Sequence, residues 1–269
     1  MSRPDQSITF LRNVGYSVFR VPRPGAQPLD VLHRTGKDLT RLGGVADLVE
    51  PGAVAVPEIR RDDTPGVNIE GTESSKVNVA IGVTILGSFI GALGGGNLGV
   101  TTGFSRARTV TFTYAAVVED RVDVLALERF VKAGRISPLI PSGTVDKLID
   151  DEVYVITSVL KTRKIIVRGH AEGGNSVALD VPVIQQAVGA NIKVGIEGAS
   201  QVDVTFEGPI AIPFAFQAVQ LVFDSSGEFL TTEALKAGEA AARAMATPAV
   251  SPGQQRYLTA PGAFVRMAG

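Results

Sequence analysis

The sequence contains no cysteine, no tryptophan and only two histidines among its 269 residues. Without cysteine, the chain cannot form disulfides, thiolate nucleophiles or cysteine-ligated metal centres. His33 and His170 lie far apart in the sequence, so we predict no zinc site. An aromatic belt at a membrane surface would have to consist of phenylalanine and tyrosine. These absences argue against metal and thiol chemistry.

The charges are nearly balanced, with a formal net charge of −1. Residues 1–41 are the exception, because they contain seven basic and three acidic side chains. Such a region could face acidic phospholipid, where each cation contributes up to about 1 kcal/mol, or it could be an ordinary solvated surface. The chain does not begin with a basic segment followed by an apolar run, so we expect no signal peptide and a cytoplasmic location.

An uncharged stretch, residues 77–105, is rich in glycine and lies between Lys76 and Arg106. One interpretation is a transmembrane helix, because about 20 apolar residues span a bilayer. Glycines also recur every four residues, at positions 87, 91, 95, 99 and 103, a spacing that lets helices approach closely. The polar residues within the stretch, such as Asn78 and Asn97, argue against this interpretation.

A second interpretation of the same stretch is a dinucleotide-binding loop. Gly94, Gly96 and Gly99 satisfy G-x-G-x-x-G, and Glu119 and Asp120 follow about 20 residues later. That fingerprint needs a helix directly after the turn, so that its N-terminus faces the pyrophosphate. Residues 109–117 instead alternate in the manner of a strand, which disfavours a nucleotide site.

A third interpretation is two strands joined by a glycine-rich connector. Apolar side chains recur at every second position, first at Val77, Val79, Ile81, Val83 and Ile85, and then at Val110, Phe112 and Tyr114. A period of two is typical of strands with one apolar face. Such strands suit a soluble sheet, which the pattern alone favours, and also the wall of a transmembrane β-barrel.

Residues 191–207 form the clearest predicted hairpin, with opposite faces that differ sharply. One face is apolar in both strands, with Ile192, Val194, Ile196, Val202, Val204 and Phe206. The other face is ionic, with Lys193, Glu197, Asp203 and Glu207. In a barrel these faces would meet lipid and a water-filled lumen, and about 9–11 residues per strand suffice to cross the bilayer. This hairpin favours a barrel wall over a single spanning helix.

The rest of the chain shows ordinary patterns of helix and strand. We predict strands over residues 16–21, 152–169 and 209–224. We predict helices over residues 7–13, 29–49 (two short ones), 118–134, from Ser142, after Pro182 and over 231–245. The acidic turn with Asp146, Asp150, Asp151 and Glu152 has no base or electrophile placed opposite it. We therefore predict no catalytic residues.

The order and texture of these segments resemble the bacterial gasdermins over nearly the whole chain. The likeness rests on residues 10–49, on the glycine-rich arms that follow, on residues 147–169 and on a short proline-containing tail. It implies an α+β fold, a twisted, mostly antiparallel central sheet surrounded by short helices. It also implies a pore-forming domain over residues 1–246 and an autoinhibitory tail over 247–269.

The resemblance implies a pore-forming protein without a cofactor, and not an enzyme. In that family a protease encoded nearby, often caspase-like, removes the tail, and the protomers then oligomerise and insert paired hairpins into the membrane, killing the infected cell. Residues 77–114 and 153–206 match the inserting regions. We therefore expect a cytoplasmic protein that moves to the inner membrane, with phospholipid and its own copies as partners and no nucleic acid. The alternative is a soluble β-rich binding or structural domain.

The tail contains spaced apolar residues that could dock on the body of the protein: Tyr257, Leu258 and Phe264. If buried, each contributes roughly 1.5–3 kcal/mol, and their sum is comparable with the roughly 5.5 kcal/mol that shifts a two-state equilibrium from 1:99 to 99:1. No aspartate follows Asp224, so an aspartate-directed cut in the tail is excluded. The preferred cleavage region contains Arg243, Met245 and Ala246, because a cut there frees every anchor; Arg256 is the alternative.

The sequence departs from the family at its N-terminus. Family members commonly carry an acylated cysteine there, whereas this chain has Arg3 and no cysteine. Membrane engagement would then rely on the basic surface and the arms. Gly94, Gly95 and Gly96 look like a connector that changes conformation, and we expect alanine at all three to impair leakage while sparing the soluble fold.

Overall fold

The computed structural model describes residues 15–19, 25–35, 38–65, 76–96, 100–149, 152–197, 202–224, 228–233 and 267–268. Within them the strands are β1 (Ser17–Val18), β2 (Asp30–Thr35), β3 (Asp38–Gly44), β4 (Val49–Glu50), β5 (Arg60–Pro65), β6 (Val77–Asn78), β7 (Thr109–Arg121), β8 (Arg135–Ile136), β9 (Val153–His170), β10 (Ser176–Val177), β11 (Lys193–Glu197), β12 (Asp203–Phe223), β13 (Phe229–Glu233) and β14 (Met267–Ala268). The helices are α1 (Val45–Leu48), α2 (Val79–Ala92), α3 (Val100–Gly103), α4 (Val124–Ala133), α5 (Ser142–Ile149) and α6 (Val181–Val188).

Twelve of the described strands form one sheet, and its main path runs β1-β12-β9-β2-β3-β14. β7 also pairs with β9 and carries β5 and β6, whereas β12 carries β11 and β13. Every described pairing is antiparallel except that of β14 with β3. The large antiparallel sheet with short helices around it confirms the predicted α+β fold.

The three longest strands, β7, β9 and β12, are interrupted at one common level, which we call the junction. Four residues of β12, 208–211, lie opposite the single residue Arg163 of β9, because the register passes from Glu207–Lys164 to Ile212–Thr162. At the same level of β7, Ala116 has a φ of 50°. The buried Thr162 hydroxyl donates to the carbonyl of Ala115 and accepts from the Lys164 N–H at 3.0 Å. Bulges of this kind bend strands.

The junction divides the sheet into two parts. The arm half contains residues 109–115, 164–170, 193–197 and 203–207, and the body half contains residues 117–121, 153–162 and 212–223. One core lies between the arm half and the helices α2, α3 and α6. A second core packs the body half against α1, α4 and α5. On the opposite face of the body half, Phe19 stacks on Phe216 with ring centroids 4.8 Å apart.

The helices α4 and α6 begin at capping residues that can be read from the sequence. The Asp123 carboxylate caps α4 by accepting from the Ala126 N–H at 3.0 Å, and Gly134 follows the last turn. Leu127, Phe130 and Val131 of α4 are buried, and this apolar face packs in the second core. Asp180 caps α6, whose first turn contains Pro182.

Two predictions of helix are wrong. Residues 30–35 and 38–44 form the paired strands β2 and β3, and among the described residues of 29–49 only α1 is helical. Pairing decides this case, because β2 hydrogen-bonds to both β3 and β9 and buries Val31 and Leu32. The predicted helix over 231–245 also fails at its start, because Thr231 and Thr232 lie in β13 and pair with β12. Residues 234–245 and the predicted helix over 7–13 lie outside the described residues.

Replacing Phe206 by alanine should destabilise the fold much more than replacing Ile196. Phe206 is fully buried, whereas Ile196, on the neighbouring strand, is 49% exposed. We expect Phe206→Ala to lower the free energy of unfolding by about 3–5 kcal/mol, and Ile196→Ala by about 1 kcal/mol or less. Urea unfolding of both variants measures the difference, and equal losses would contradict the burial pattern.

Candidate functional site

The arm half presents one continuous apolar face across four strands. Cross-strand pairing aligns Phe112, Val167, Val204 and Ile196 in one row, and Tyr114, Ile165, Phe206 and Val194 in the next. Directly opposite residues of antiparallel strands point to the same face. The predicted pairing within residues 191–207 is therefore confirmed for β11 and β12, with Val194 opposite Phe206 and Ile196 opposite Val204. The predicted turn, residues 198–201, lies outside the described residues.

The other face of the arm half is polar. One row contains Thr111, Arg168, Asp203 and Glu197, and another contains Ala115, Lys164, Glu207 and Lys193. Arg168 binds Asp203 through two hydrogen bonds, of 2.6 Å and 2.7 Å. Lys164 Nζ lies 3.1 Å from a Glu197 carboxylate oxygen. The two faces thus differ along their full width, as the sequence pattern predicts.

Helix α2 covers the apolar face, and this corrects the prediction of a strand over residues 77–85. Val77 lies in the short strand β6, but Val79, Ile81, Val83 and Ile85 lie in α2. The Asn78 side chain caps the helix by accepting from the Ala80 N–H at 2.9 Å. The helix buries residues at helical spacing: Ile85, Leu86, Phe89 and Ile90. The same stretch therefore has an apolar stripe at the period of a helix and also at the period of a strand. Packing on the sheet selects the helix.

The outward side of α2 shows how this uncharged helix meets water. The hydroxyls of Thr84 and Ser88 donate to the carbonyls of Ala80 and Thr84, each at 2.9 Å. At the C-terminal end, Leu93 packs on Gly208 of the junction, where a Cβ would lie 2.3 Å from Leu93 Cδ2. No helix among the described residues is long and apolar enough to cross a membrane.

The turn after α2 does not have the geometry of a nucleotide loop. It follows a helix and not a strand, and the next helix, α3, has only four residues. The candidate ribose-binding carboxylates are engaged elsewhere. Glu119 accepts from the Tyr16 and Ser158 hydroxyls at 2.8 Å and 2.5 Å, and Asp120 lies 2.8 Å from Lys161 Nζ. Residues 97–99 lie outside the described residues.

The acidic turn before β9 also has a structural role where it is described. Glu152 pairs with the buried His33 at 2.9 Å and so connects the start of β9 to β2. Asp150 and Asp151 lie outside the described residues. In the part of the chain that the structure describes, no group of three or more histidine or acidic residues could hold a metal ion.

The C-terminal end of the chain docks on the edge of the large sheet. Met267 pairs with Leu39 and Ala268 with Thr40, so β14 extends the sheet beyond β3. The hairpin that receives it is held by an ion pair of 2.9 Å between Arg41 and the buried Asp30. The hydrogen bond and charge of Asp30 raise the pKa of Arg41 above its ordinary value. This ion pair thus fixes β3 to β2, and it does so independently of β14.

The predicted tail anchors and cleavage residues fall between β13 and β14, where the structure describes no residues. Tyr257, Leu258 and Phe264, and the cleavage candidates Arg243, Met245 and Ala246, lie outside the described residues. The sequence reasoning did not identify Met267–Ala268 as a strand. Two residues are too few to show a periodic pattern, so no signal could have found this pairing.

The sheet, its covering helices and the docked C-terminal strand define a gasdermin fold. The structure of a bacterial gasdermin from Bradyrhizobium tropiciagri matches with a TM-score of 0.64 over 98% of this chain and 97% of that chain, at 14% identity. That identity supports the likeness of fold alone.

Sequence comparison identifies the family. The model of the Bacterial Gasdermin Family matches residues 19–228. A "Gasdermin bGSDM" of a Desulfuromonadales bacterium is 35% identical over 98% of both chains. Another, of Lysobacter enzymogenes, is 37% identical over 93% of this chain and 92% of its own. The chain belongs to the bacterial gasdermin family, a family of pore-forming proteins.

Two glycines near the end of α2 should respond oppositely to alanine. A Cβ at Gly91 would meet no atom within 4 Å, so Gly91→Ala should stabilise the helix by about 0.5–1 kcal/mol. A Cβ at Gly95 would lie 2.5 Å from Ile192 Cδ1 and 2.9 Å from the Val188 carbonyl, so Gly95→Ala should destabilise by about 1–3 kcal/mol. Urea unfolding midpoints of the two variants test this contrast, and a shift in the same direction would contradict it.

The same geometry corrects the expectation that alanine at Gly94, Gly95 and Gly96 spares the soluble fold. A Cβ at Gly96 would lie 2.9 Å from the Ala187 carbonyl, and Gly94 has a φ of 79°. All three positions therefore disfavour a side chain in the resting state. A leakage assay of the triple variant could not separate impaired insertion from impaired folding.

Proposed function

We propose that the protein is an autoinhibited pore former. Removal of its tail by a protease, with the cut near Ala246, would free the arm half to enter a phospholipid membrane as β-hairpins of a homo-oligomeric barrel. The observation that carries the proposal is the continuous apolar face of β7, β9, β11 and β12, which the helices α2, α3 and α6 cover in the described part of the chain. A barrel wall needs this same division, with apolar residues against lipid and polar residues against water.

The uncharged stretch, residues 77–105, would supply the extra strand residues that the arms need to span a membrane. The arm segments of β7 and β9 have seven residues each, whereas a transmembrane strand needs about 9–11. Helix α2 is uncharged and continues from β6, which already pairs with β7. As a strand it would place Val79, Ile81, Val83 and Ile85 on one face, so conversion of α2 would both uncover the sheet and lengthen it.

The docked C-terminal strand supports the tail as the lock. An edge strand presents unpaired N–H and C=O groups that can pair with another chain. β14 occupies part of this edge on β3. A cut between Ala246 and Met267 breaks the covalent connection of β14 to the body of the protein. Among the described residues of the tail, only the pairing of Met267 and Ala268 with β3 then holds it. The domain boundary at residues 246 and 247 follows from this proposal.

The biological setting follows the likeness to the bacterial gasdermins. We infer a cytoplasmic resting protein, an activating bacterial protease of the caspase-like kind, and the inner membrane as the site of action. Pore formation there would kill the cell and so limit phage infection. Without an N-terminal cysteine, attraction to acidic phospholipid would come from the basic side chains of residues 1–41.

Cleavage in the tail should convert the protein from silent to membrane-permeabilising. A protease recognition sequence inserted between Ala246 and Thr247 of the full-length chain allows the cut to be made after folding. We expect the intact form to leave dye-loaded liposomes containing acidic phospholipid sealed, and the cut form to make them leak and to form rings in electron micrographs. The same protease with the unmodified chain is the control. If the cut form stays monomeric and the liposomes stay sealed, the protein is a soluble β-rich domain instead.

The contact of β14 with β3 should contribute to silencing. Deleting residues 267–269 removes this pairing, so the uncut protein should show partial leakage, below that of the cut form. The matched control, Met267→Ile with Ala268→Val, replaces both side chains by β-forming ones but keeps the backbone pairing, and it should stay silent. Leakage of the control equal to that of the deletion would instead assign the effect to the side chains.

A further inference from the structure

Seven ionisable side chains lie on the polar face of the arm half, and six of them are acidic or basic residues. The seventh is the buried His170, which the formal charge counts as neutral and whose Nε2 lies 3.2 Å from Thr111 Oγ1. Of the six, three are basic, Lys164, Arg168 and Lys193, and three are acidic, Glu197, Asp203 and Glu207. On each strand the two charged residues are separated by four positions, so they point the same way. The strand β7 adds only Thr111, Thr113 and Ala115 to this face. The described arm half therefore has no net charge on its polar face.

The charges are distributed in two rows that nearly compensate each other. The row next to the junction contains Lys164, Glu207 and Lys193, and the distal row contains Arg168, Asp203 and Glu197. The first has one excess positive charge and the second one excess negative charge. The rows are four residues apart, or about 13 Å along a strand. Lys164 of the first row forms an ion pair of 3.1 Å with Glu197 of the distal row. This ion pair connects the row with the excess positive charge to the row with the excess negative charge.

We propose that the pore does not select solutes by charge, and that ions and small solutes of either sign pass through it together. The inference rests on the proposed function, since this face meets the lumen only in a barrel. Channels that select by charge have rings of side chains of one sign. Here the described arm half of every protomer adds equal numbers of both signs, whatever the number of protomers. The charges of opposite sign lie at distances comparable with the Debye length, which is about 8 Å at physiological salt. Their fields therefore largely cancel, and little field of one sign extends into a wide lumen.

Two residues of β11 allow this balance to be changed without disturbing the core. Lys193 and Glu197 are both exposed at the edge of the described sheet. Lys193→Glu makes the face more negative by two charges per protomer, and Glu197→Lys makes it more positive by two. The double variant exchanges the two residues and restores the balance. Glu58→Lys, in the exposed loop before β5, makes the same charge change away from the arms.

The test is the ratio of chloride to potassium permeability of the cut full-length chain in planar bilayers under a KCl gradient. We expect a ratio close to one for the unaltered protein, the double variant and Glu58→Lys. The ratio should rise above one for Glu197→Lys and fall below one for Lys193→Glu. Both shifts should grow near 0.01 M salt, where the Debye length is about 30 Å.

Each result separates the two hypotheses. A strong preference of the unaltered pore for one ion, or ratios that neither single variant changes, would overturn charge balance while the pore itself remains. Absence of any conductance after cleavage would overturn the proposed function, and the inference with it. A shift in Glu58→Lys equal to that in Glu197→Lys would show that overall protein charge, and not this face, controls permeation.

Discussion

The apolar face shared by β7, β9, β11 and β12 has to be kept from water, and most of the resting fold follows from that requirement. Burial of apolar surface is the dominant favourable term in folding. Helices α2, α3 and α6 lie on this face and share one core with it. Tyr114 and Phe214 stack across the junction, with ring centroids 4.1 Å apart, and connect the arm half to the body half. Cover and sheet therefore stabilise each other, and each would be unstable alone.

The body half differs from the arm half in where its charges lie. Asp120 is buried and lies 2.8 Å from Lys161 and 3.7 Å from Arg61, and Glu119 accepts from Tyr16 and Ser158. Breaking a buried ion pair costs about 3–5 kcal/mol, because one charge is left uncompensated. If both the arm half and the body half met lipid, buried ion pairs of this kind would be broken only in the body half. Under the proposed function, this difference favours a body that keeps its fold while the arms change theirs.

Strand alternation made the arm half and its faces predictable from sequence, since one apolar and one polar face of a strand leave a period of two. The places of α4 and α6 were predictable from other local signals, namely Gly134 after the last turn of α4 and Pro182 in the first turn of α6. Residues 29–49 and 77–92 were not, because their leucine, valine and glycine patterns fit both helix and strand. There the choice depends on a tertiary partner, β9 for residues 30–35 and the apolar face for α2. The docking of β14 depends on backbone pairing over two residues, which leaves no sequence pattern.

The ambiguity of residues 79–92 is therefore informative. As a helix they bury Ile85, Leu86, Phe89 and Ile90, and as a strand they would align alternate apolar residues from Val79 to Ile85. Glycine inside a helix costs about 0.5–1 kcal/mol relative to alanine, and α2 contains Gly82, Gly87 and Gly91. A Cβ at Gly82 would lie 2.1 Å from Val110 Cγ2, so close contact with β7 requires at least that glycine. Gly91 has no such contact, and its presence weakens the helix without a packing benefit. Under the proposed function, a cover that is weak by itself but stable on its sheet would be released by a small change elsewhere, such as the loss of β14 from β3.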